Sequence, residues 1–362
     1  MAKKANPNPR ANKNILGVTY LMVAVFLGLA VYLGYFLQVR SEDVINNSYN
    51  ARLDSFSDRI VRGKILAADG TVLAQTQVDG EGNETRVYDF GSVFDHVVGY
   101  STKGKTGIEA MANFYLLTSH VNLVEQVANE LAGHKNLGDN VYTTLDAQLQ
   151  QAAYAALGDR KGVVIAMEPD TGKVLAMVSK PGYDPNTLLQ DWDVLTSGEN
   201  GEGQLLNRAA QGLYPPGSTF KIVTALEYMR EHPDNYRDYQ FDCRGVYENG
   251  DYRIKCYHST AHGHQDFTLA FANSCNGAFS SLGLDLNLGK FRETAKSLLF
   301  DSPLPVAGMP YKQSSFQMGP GADTWEILQT SIGQGTTQIT PLHNAMITAA
   351  IANGGALMKP YF

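Results

Sequence analysis

The chain runs Tyr214-Pro215-Pro216-Gly217-Ser218-Thr219-Phe220-Lys221 and continues Ile222-Val223-Thr224-Ala225-Leu226-Glu227-Tyr228-Met229. Two prolines and a glycine make a stiff turn, and from Ser218 the apolar spacing becomes helical through Met229. Phe220, Val223, Ala225, Leu226 and Met229 leave little polar surface, which predicts a buried helix. Ser218 then stands at the helix N-terminus, where free N–H groups and the dipole favour developing negative charge. Lys221 follows one turn along on the same face. A serine hydroxyl is a poor nucleophile until a neighbouring base takes its proton. A lysine can be that base when burial or a second cation lowers its pKa well below about 10.4. Ser-x-x-Lys occurs only here in the chain. Taken alone it reads equally well as a serine cap followed by a surface lysine, although a surface lysine is awkward on so apolar a helix.

Downstream, Phe271-Ala272-Asn273-Ser274-Cys275-Asn276 closes a second apolar helical stretch. In a serine acyl-transfer site a second hydroxyl can relay a proton to a leaving nitrogen, and an amide can hold a peptide-like substrate in line. A polar helix terminus explains the same residues. Upstream, residues 162–168 and 173–178 flank the turn Pro169-Asp170-Thr171-Gly172 and predict a hairpin. A helix over 145–157, capped by Asp146, precedes it. Residues 40–142 are polar and mixed. They show two short strands joined by Asp69-Gly70, a turn at Gly80-Glu81-Gly82-Asn83, and helical spacing over 108–117 and 121–131. Nothing there gathers catalytic residue types, so this stretch reads as a spacer.

In order along the chain, Asn207-Arg208-Ala209, Tyr214 to Lys221, Ser274-Cys275-Asn276, Gly333-Gln334-Gly335 and Thr340-Pro341-Leu342 resemble the transpeptidase domain of penicillin-binding proteins. Gly162 to Met177 and Lys180 to Asn186 resemble its opening strands, and the likeness runs from about Arg59 to Phe362. It implies an α+β, penicillin-binding/β-lactamase-like fold, an antiparallel sheet flanked by helices over 143–362, on a non-catalytic pedestal over 40–142. The spacer is too small for a glycosyltransferase module, which favours the monofunctional class B type. The resemblance further implies that Ser218 attacks the penultimate D-alanine carbonyl of a peptidoglycan stem peptide. Lys221 would be the base, Ser274 the proton relay and Asn276 a substrate-holding residue, with the Ser218 N–H receiving the oxyanion. The acyl group would pass to an amine on a neighbouring strand, and β-lactams would acylate the same serine.

The family's third motif, Lys-Thr-Gly, is expected several dozen residues after Ala352-Asn353-Gly354-Gly355, and the sequence given stops at Phe362. The expectation is a copy truncated before that motif, unable to turn over as given, with Lys221 deprived of a second cation. Lys105-Thr106-Gly107 matches in letters but precedes Ser218. It leads into Ile108-Glu109-Ala110, a segment that the resemblance places in the pedestal. Ser48-Tyr49-Asn50 is a similar look-alike.

At the other end, residues 1–14 carry Lys3, Lys4, Arg10 and Lys13 and no acid, and residues 15–39 carry no charge. As a helix that run reaches about 37 Å, enough for a hydrocarbon core of about 30 Å. The basic flank places the N-terminus in the cytoplasm and everything after Arg40 outside, giving a single-pass membrane anchor. A cleaved signal peptide would need a small-x-small site, absent from Gln38-Val39-Arg40-Ser41-Glu42. Over the 362 residues, 36 acids against 29 bases exclude nucleic acid as the main partner. Three cysteines are too few for a disulfide scaffold. Cys243 and Cys256 could pair in an oxidising compartment or stay as free thiols. With His258, His262 and His264 nearby a metal site can be imagined, but the resemblance includes this region without metal, so neither metal nor cofactor is expected. Two other functions compete. A non-catalytic scaffold of a cell-wall complex, alongside a glycosyltransferase partner, would explain a missing third motif. A β-lactamase-like hydrolase would need a deacylating glutamate, and no Glu-x-x-Leu-Asn follows Asn276.

Overall fold

A computed structural model describes residues 9–40, 58–197 and 203–362; residues 1–8 of the basic tail and Ser48-Tyr49-Asn50 lie outside the described residues. The uncharged run forms a helix, Pro9–Tyr35, passing into a π-helical turn, Phe36–Arg40. Its apolar side chains stay exposed along the whole run, the reverse of a core helix.

Within residues 60–142, four strands lie in the order Glu84–Val87, Val72–Val78, Ile65–Leu66, Val141–Tyr142, the last pair parallel. The Asp69-Gly70 turn forms as read: Gly70 takes φ 86°, and the Thr71 N–H donates to Asp69 Oδ1 at 2.9 Å. The helical spacing over 108–117 yields two short helices, Gly107–Met111 and Asn113–Leu116, broken at Ala112. The spacing over 121–131 yields Leu123–Ala132, capped by the Asn122 side chain.

Beyond residue 142, the Asp146 carboxylate caps the helix Ala147–Leu157 by accepting from Gln148 and Leu149. That helix lies on the hairpin Gly162–Met167 and Val174–Lys180. The buried Gln150 amide ties the two, accepting from the Met177 N–H at 2.8 Å and donating to the Met177 carbonyl at 2.9 Å. One core joins Ile65, Leu73 and Leu116 to Leu145, Met177 and Leu342, so the change of composition near 142 is not a break in packing. A second core surrounds Phe220, whose ring meets those of Phe291, Phe300 and Phe316 at 6.0, 5.6 and 5.7 Å. It anchors the helix Lys221–Glu231. That α-helix does not start at Ser218: Gly217–Phe220 is a 3-10 turn, entered through Gly217 at φ 58°.

Candidate functional site

A local break in the backbone positions each candidate side chain. Ahead of Ser218, the Gly217 N–H donates to the Gly333 carbonyl at 2.8 Å, which pins the turn to the Gly333-Gln334-Gly335 loop. Gly333 sits at φ 76°, and a Cβ there would stand 1.9 Å from the Gly217 oxygen. Only glycine lets the two backbones meet, which is the physical content of that motif. Ser274 occupies the left-handed region, φ 48°, between the helices Phe267–Ala272 and Asn276–Asp285. For a residue with a Cβ that conformation costs about 1–3 kcal/mol, the kind of local strain that clusters at functional sites. Cys275 is the cap of the second helix, its sulfur accepting from the Ala278 N–H at 3.4 Å.

The turns converge on Lys221, 2% exposed. Its Nζ lies 3.2 Å from Ser218 Oγ, 2.9 Å from Ser274 Oγ, 2.6 Å from the Ser274 carbonyl and 2.7 Å from Asn276 Oδ1. All four residues singled out in the sequence therefore meet at one nitrogen, and none of its partners is a carboxylate. Burial pulls the Lys221 ammonium down to about 8, against an opposing pull from Cys275 and Cys256. Of the two causes the sequence reading offered, burial and a second cation, burial is the one at work here. An ammonium has three protons for these four oxygens. The neutral amine has two, which suit the Ser274 carbonyl and Asn276 Oδ1, and a lone pair that can accept the Ser218 proton. Asn276 also donates from Nδ2 to the Lys255 carbonyl at 2.9 Å, linking Lys221 to the strand Tyr252–Lys255.

A cleft of about 760 Å³ opens over Ser218, Ser274 and Asn276. Ile254, Tyr257 and Gln334 line it as well. Ile254 and Tyr257 were missed in the sequence, because a four-residue strand and a 3-10 turn carry no periodic signal. Lys105-Thr106-Gly107 does not line this cleft; Thr106 opens the helix Gly107–Met111.

Residues 162–362, more than half of the chain, match the family model of the penicillin-binding protein transpeptidase domain. The chain belongs to the penicillin-binding protein transpeptidase family. Residues 62–141 of this penicillin-binding protein match the penicillin-binding protein A dimerisation domain. It is 33% identical over 328 residues to the peptidoglycan D,D-transpeptidase PbpA of Mycolicibacterium smegmatis, covering 85% of this chain and 66% of that one. It is 28% identical to the peptidoglycan D,D-transpeptidase MrdA of Acinetobacter baumannii, covering 76% and 47%. The chain thus spans just under two thirds of the length of PbpA. Among solved structures, the imipenem acyl-enzyme of penicillin-binding protein A from M. tuberculosis superposes with a TM-score of 0.73 at 32% identity, covering 84% of this chain and 73% of that one.

Proposed function

We propose that this penicillin-binding protein is a serine D,D-transpeptidase of peptidoglycan that β-lactams acylate at Ser218. The observation behind this reading is Lys221, a buried amine without a carboxylate partner that touches both serines. Neutral Lys221 takes the Ser218 proton as Oγ attacks the penultimate D-alanine carbonyl of a stem peptide. The Ser218 N–H lies in the first turn, where no intrahelical acceptor exists, and meets the oxyanion. Collapse expels the terminal D-alanine amine, protonated from Lys221 through the Ser274 hydroxyl. An amine of a neighbouring strand then displaces Ser218 and restores the enzyme. A β-lactam follows the same first steps, except that its leaving nitrogen stays tethered. Asn276 aligns the substrate while steadying Lys221.

In this reading residues 15–39 anchor the chain in the membrane, with residues 1–14 in the cytoplasm and the body outside. Residues 40–142 form a pedestal for the transpeptidase unit, 143–362, which works beside a glycosyltransferase in a cell-wall complex. The test is incubation of the full chain, in detergent, with a fluorescent penicillin. One adduct per chain on the Ser218 peptide is expected, and Ser218→Ala should abolish it. Undiminished labelling of the Ser218→Ala chain would overturn the assignment. Failure of Ser218→Ala to support growth of cells depleted of the native protein would separate an enzyme from a scaffold.

A further inference from the structure

The helix Leu123–Ala132 is packed the wrong way round. Its ends are set locally: the Asn122 side chain caps one, and Gly133, at φ 70°, closes the other. Going round the helix, Val124, Val127, Ala128 and Leu131 fall within an arc of about 100°, and Gln126, Asn129 and Glu130 share the opposite side. An amphipathic helix on a water-soluble body turns its apolar stripe to the core. Here the polar side faces the body. Asn129 Nδ2 donates to Asn136 Oδ1 at 2.9 Å, and Gln126 and Glu130 line a groove of about 510 Å³ together with Asp58, Arg59 and His134. The apolar stripe faces away, with Val124 81%, Val127 49% and Leu131 85% exposed. Among the described residues nothing covers it.

The place where the chain enters the body narrows what does. Asp58, where the described chain resumes after Arg40, lies in the groove against the polar side of this helix. Residues 41–57 join it to the end of the apolar span, a tether of roughly 60 Å at full stretch. The helix therefore sits at the tethered end of the body, with its apolar side turned outward.

The stripe is also small. A ten-residue helix is about 15 Å long. Three aliphatic side chains fall short of the roughly 800 Å² that each side of a stable protein interface supplies. A lipid surface asks for neither that area nor a matched shape: apolar side chains sink about 5–10 Å into the boundary of headgroups and acyl chains. Interfacial helices commonly add Lys or Arg to attract anionic lipid. Residues 123–132 carry Glu125 and Glu130 and no cation, so charge does not bring this helix to the surface. The tether does, because it makes the contact intramolecular.

We propose that Val124, Val127 and Leu131 insert into the lipid surface from which the 15–39 span emerges, giving the chain a second membrane contact. Two contacts fix how the body stands over the bilayer, where a single tether cannot. The proposal rests on the reading of residues 15–39 as a membrane span and is independent of the Ser218 chemistry.

The test puts a thiol-reactive fluorophore on Leu131→Cys in the full chain, held in phosphatidylcholine nanodiscs. The lipids are either plain or brominated near the headgroup end of their acyl chains. The parent chain, whose three cysteines are buried, serves as the blank. Brominated lipid should quench the fluorophore about twofold. It should leave the same fluorophore unquenched on Leu189→Cys, an exposed position of the helix Leu188–Thr196. A fluorophore on Phe26→Cys reports on the span itself. Quenching at Phe26→Cys but not at Leu131→Cys overturns the second contact and leaves the span standing. Quenching at neither overturns the span, and the second contact with it. Equal quenching at Leu131→Cys and Leu189→Cys overturns the assignment to this helix. Emission from Leu131→Cys that shifts only in discs holding two chains marks a second copy as the occupant and overturns lipid. Adding Val124→Asp should at least halve the quenching at Leu131→Cys, by about the loss of one inserted side chain. Val124 lies outside all three hydrophobic cores, so folding and the rate of penicillin labelling should not move. Unchanged quenching in that variant would overturn insertion through the stripe.

Discussion

Lys221 and Glu109 are both buried charges, one in each half of the molecule, and their surroundings treat them in opposite ways. Glu109, 0% exposed, receives Arg62 Nε on one carboxylate oxygen at 2.6 Å and Arg86 Nε on the other at 2.7 Å. Arg62 also donates to the Glu109 carbonyl at 2.7 Å, and Arg86 to the Gly63 carbonyl at 2.7 Å. Burial pushes the Glu109 carboxyl up, and Arg62 and Arg86 more than reverse it, so its pKa settles below the ordinary value. Lys221 has only hydroxyl, carbonyl and amide oxygens, and its pKa falls to about 8. A buried charge given its counter-charges stays ionised and becomes architecture. A buried charge given only neutral acceptors can change protonation near neutral pH and becomes chemistry.

The sharpest way to break this comparison is Lys221→Met. Penicillin labelling should fall about 10²–10⁴-fold, while the melting temperature holds or rises, because an unpaired buried charge has gone. Labelling within about tenfold of the parent chain would remove Lys221 as the base. Glu109→Gln should do the converse, costing about 3–5 kcal/mol in denaturant unfolding by leaving two guanidinium groups buried against a neutral amide. The labelling rate per folded molecule should not change. A loss under about 1 kcal/mol would make the Arg62–Glu109–Arg86 cluster no more than a surface-grade ion pair.

Gly333→Ala tests whether the site depends on backbone contact as well as on charge. The new Cβ would collide with the Gly217 carbonyl, displacing Ser218 and slowing labelling about 10²-fold with little change in circular dichroism. The mildest effect is the pH profile. Labelling should climb about tenfold per pH unit below the Lys221 value and level off above it, which stopped-flow rates between pH 6 and about 9 would show. Glu109 responds in acid. Its folded pKa is depressed, so its contribution to stability is complete above the unfolded value and is lost as pH falls through the folded one. The Glu109→Gln chain should lack that part of the acid transition.

Much of the candidate site was legible because it is local. The spacing of Ser218 and Lys221 puts both on one helical face whatever surrounds them, and a Ser-x-Asn at a helix junction announces its residue types. The junction's geometry was not legible. Ser274 stands at φ 48° and offers both its carbonyl and its hydroxyl to Lys221, a backbone conformation that the residue types do not announce. The Lys105-Thr106-Gly107 look-alike shows the same limit from the other side. Its letters suit an active site, but Glu109 behind it is claimed by Arg62 and Arg86, 47 and 23 positions away.

By itself the sequence determined the apolar span over 15–39, the capped helices, the hairpin over 162–178 and the pairing of a serine with a lysine one turn on. Each of these depends on residues within a few positions of one another. Only the tertiary structure decided that Lys221 loses its water and meets no carboxylate, and that Glu109 meets two arginines. Protonation depends on which groups surround a site in space, and the groups that settle it here come from segments far apart in the chain.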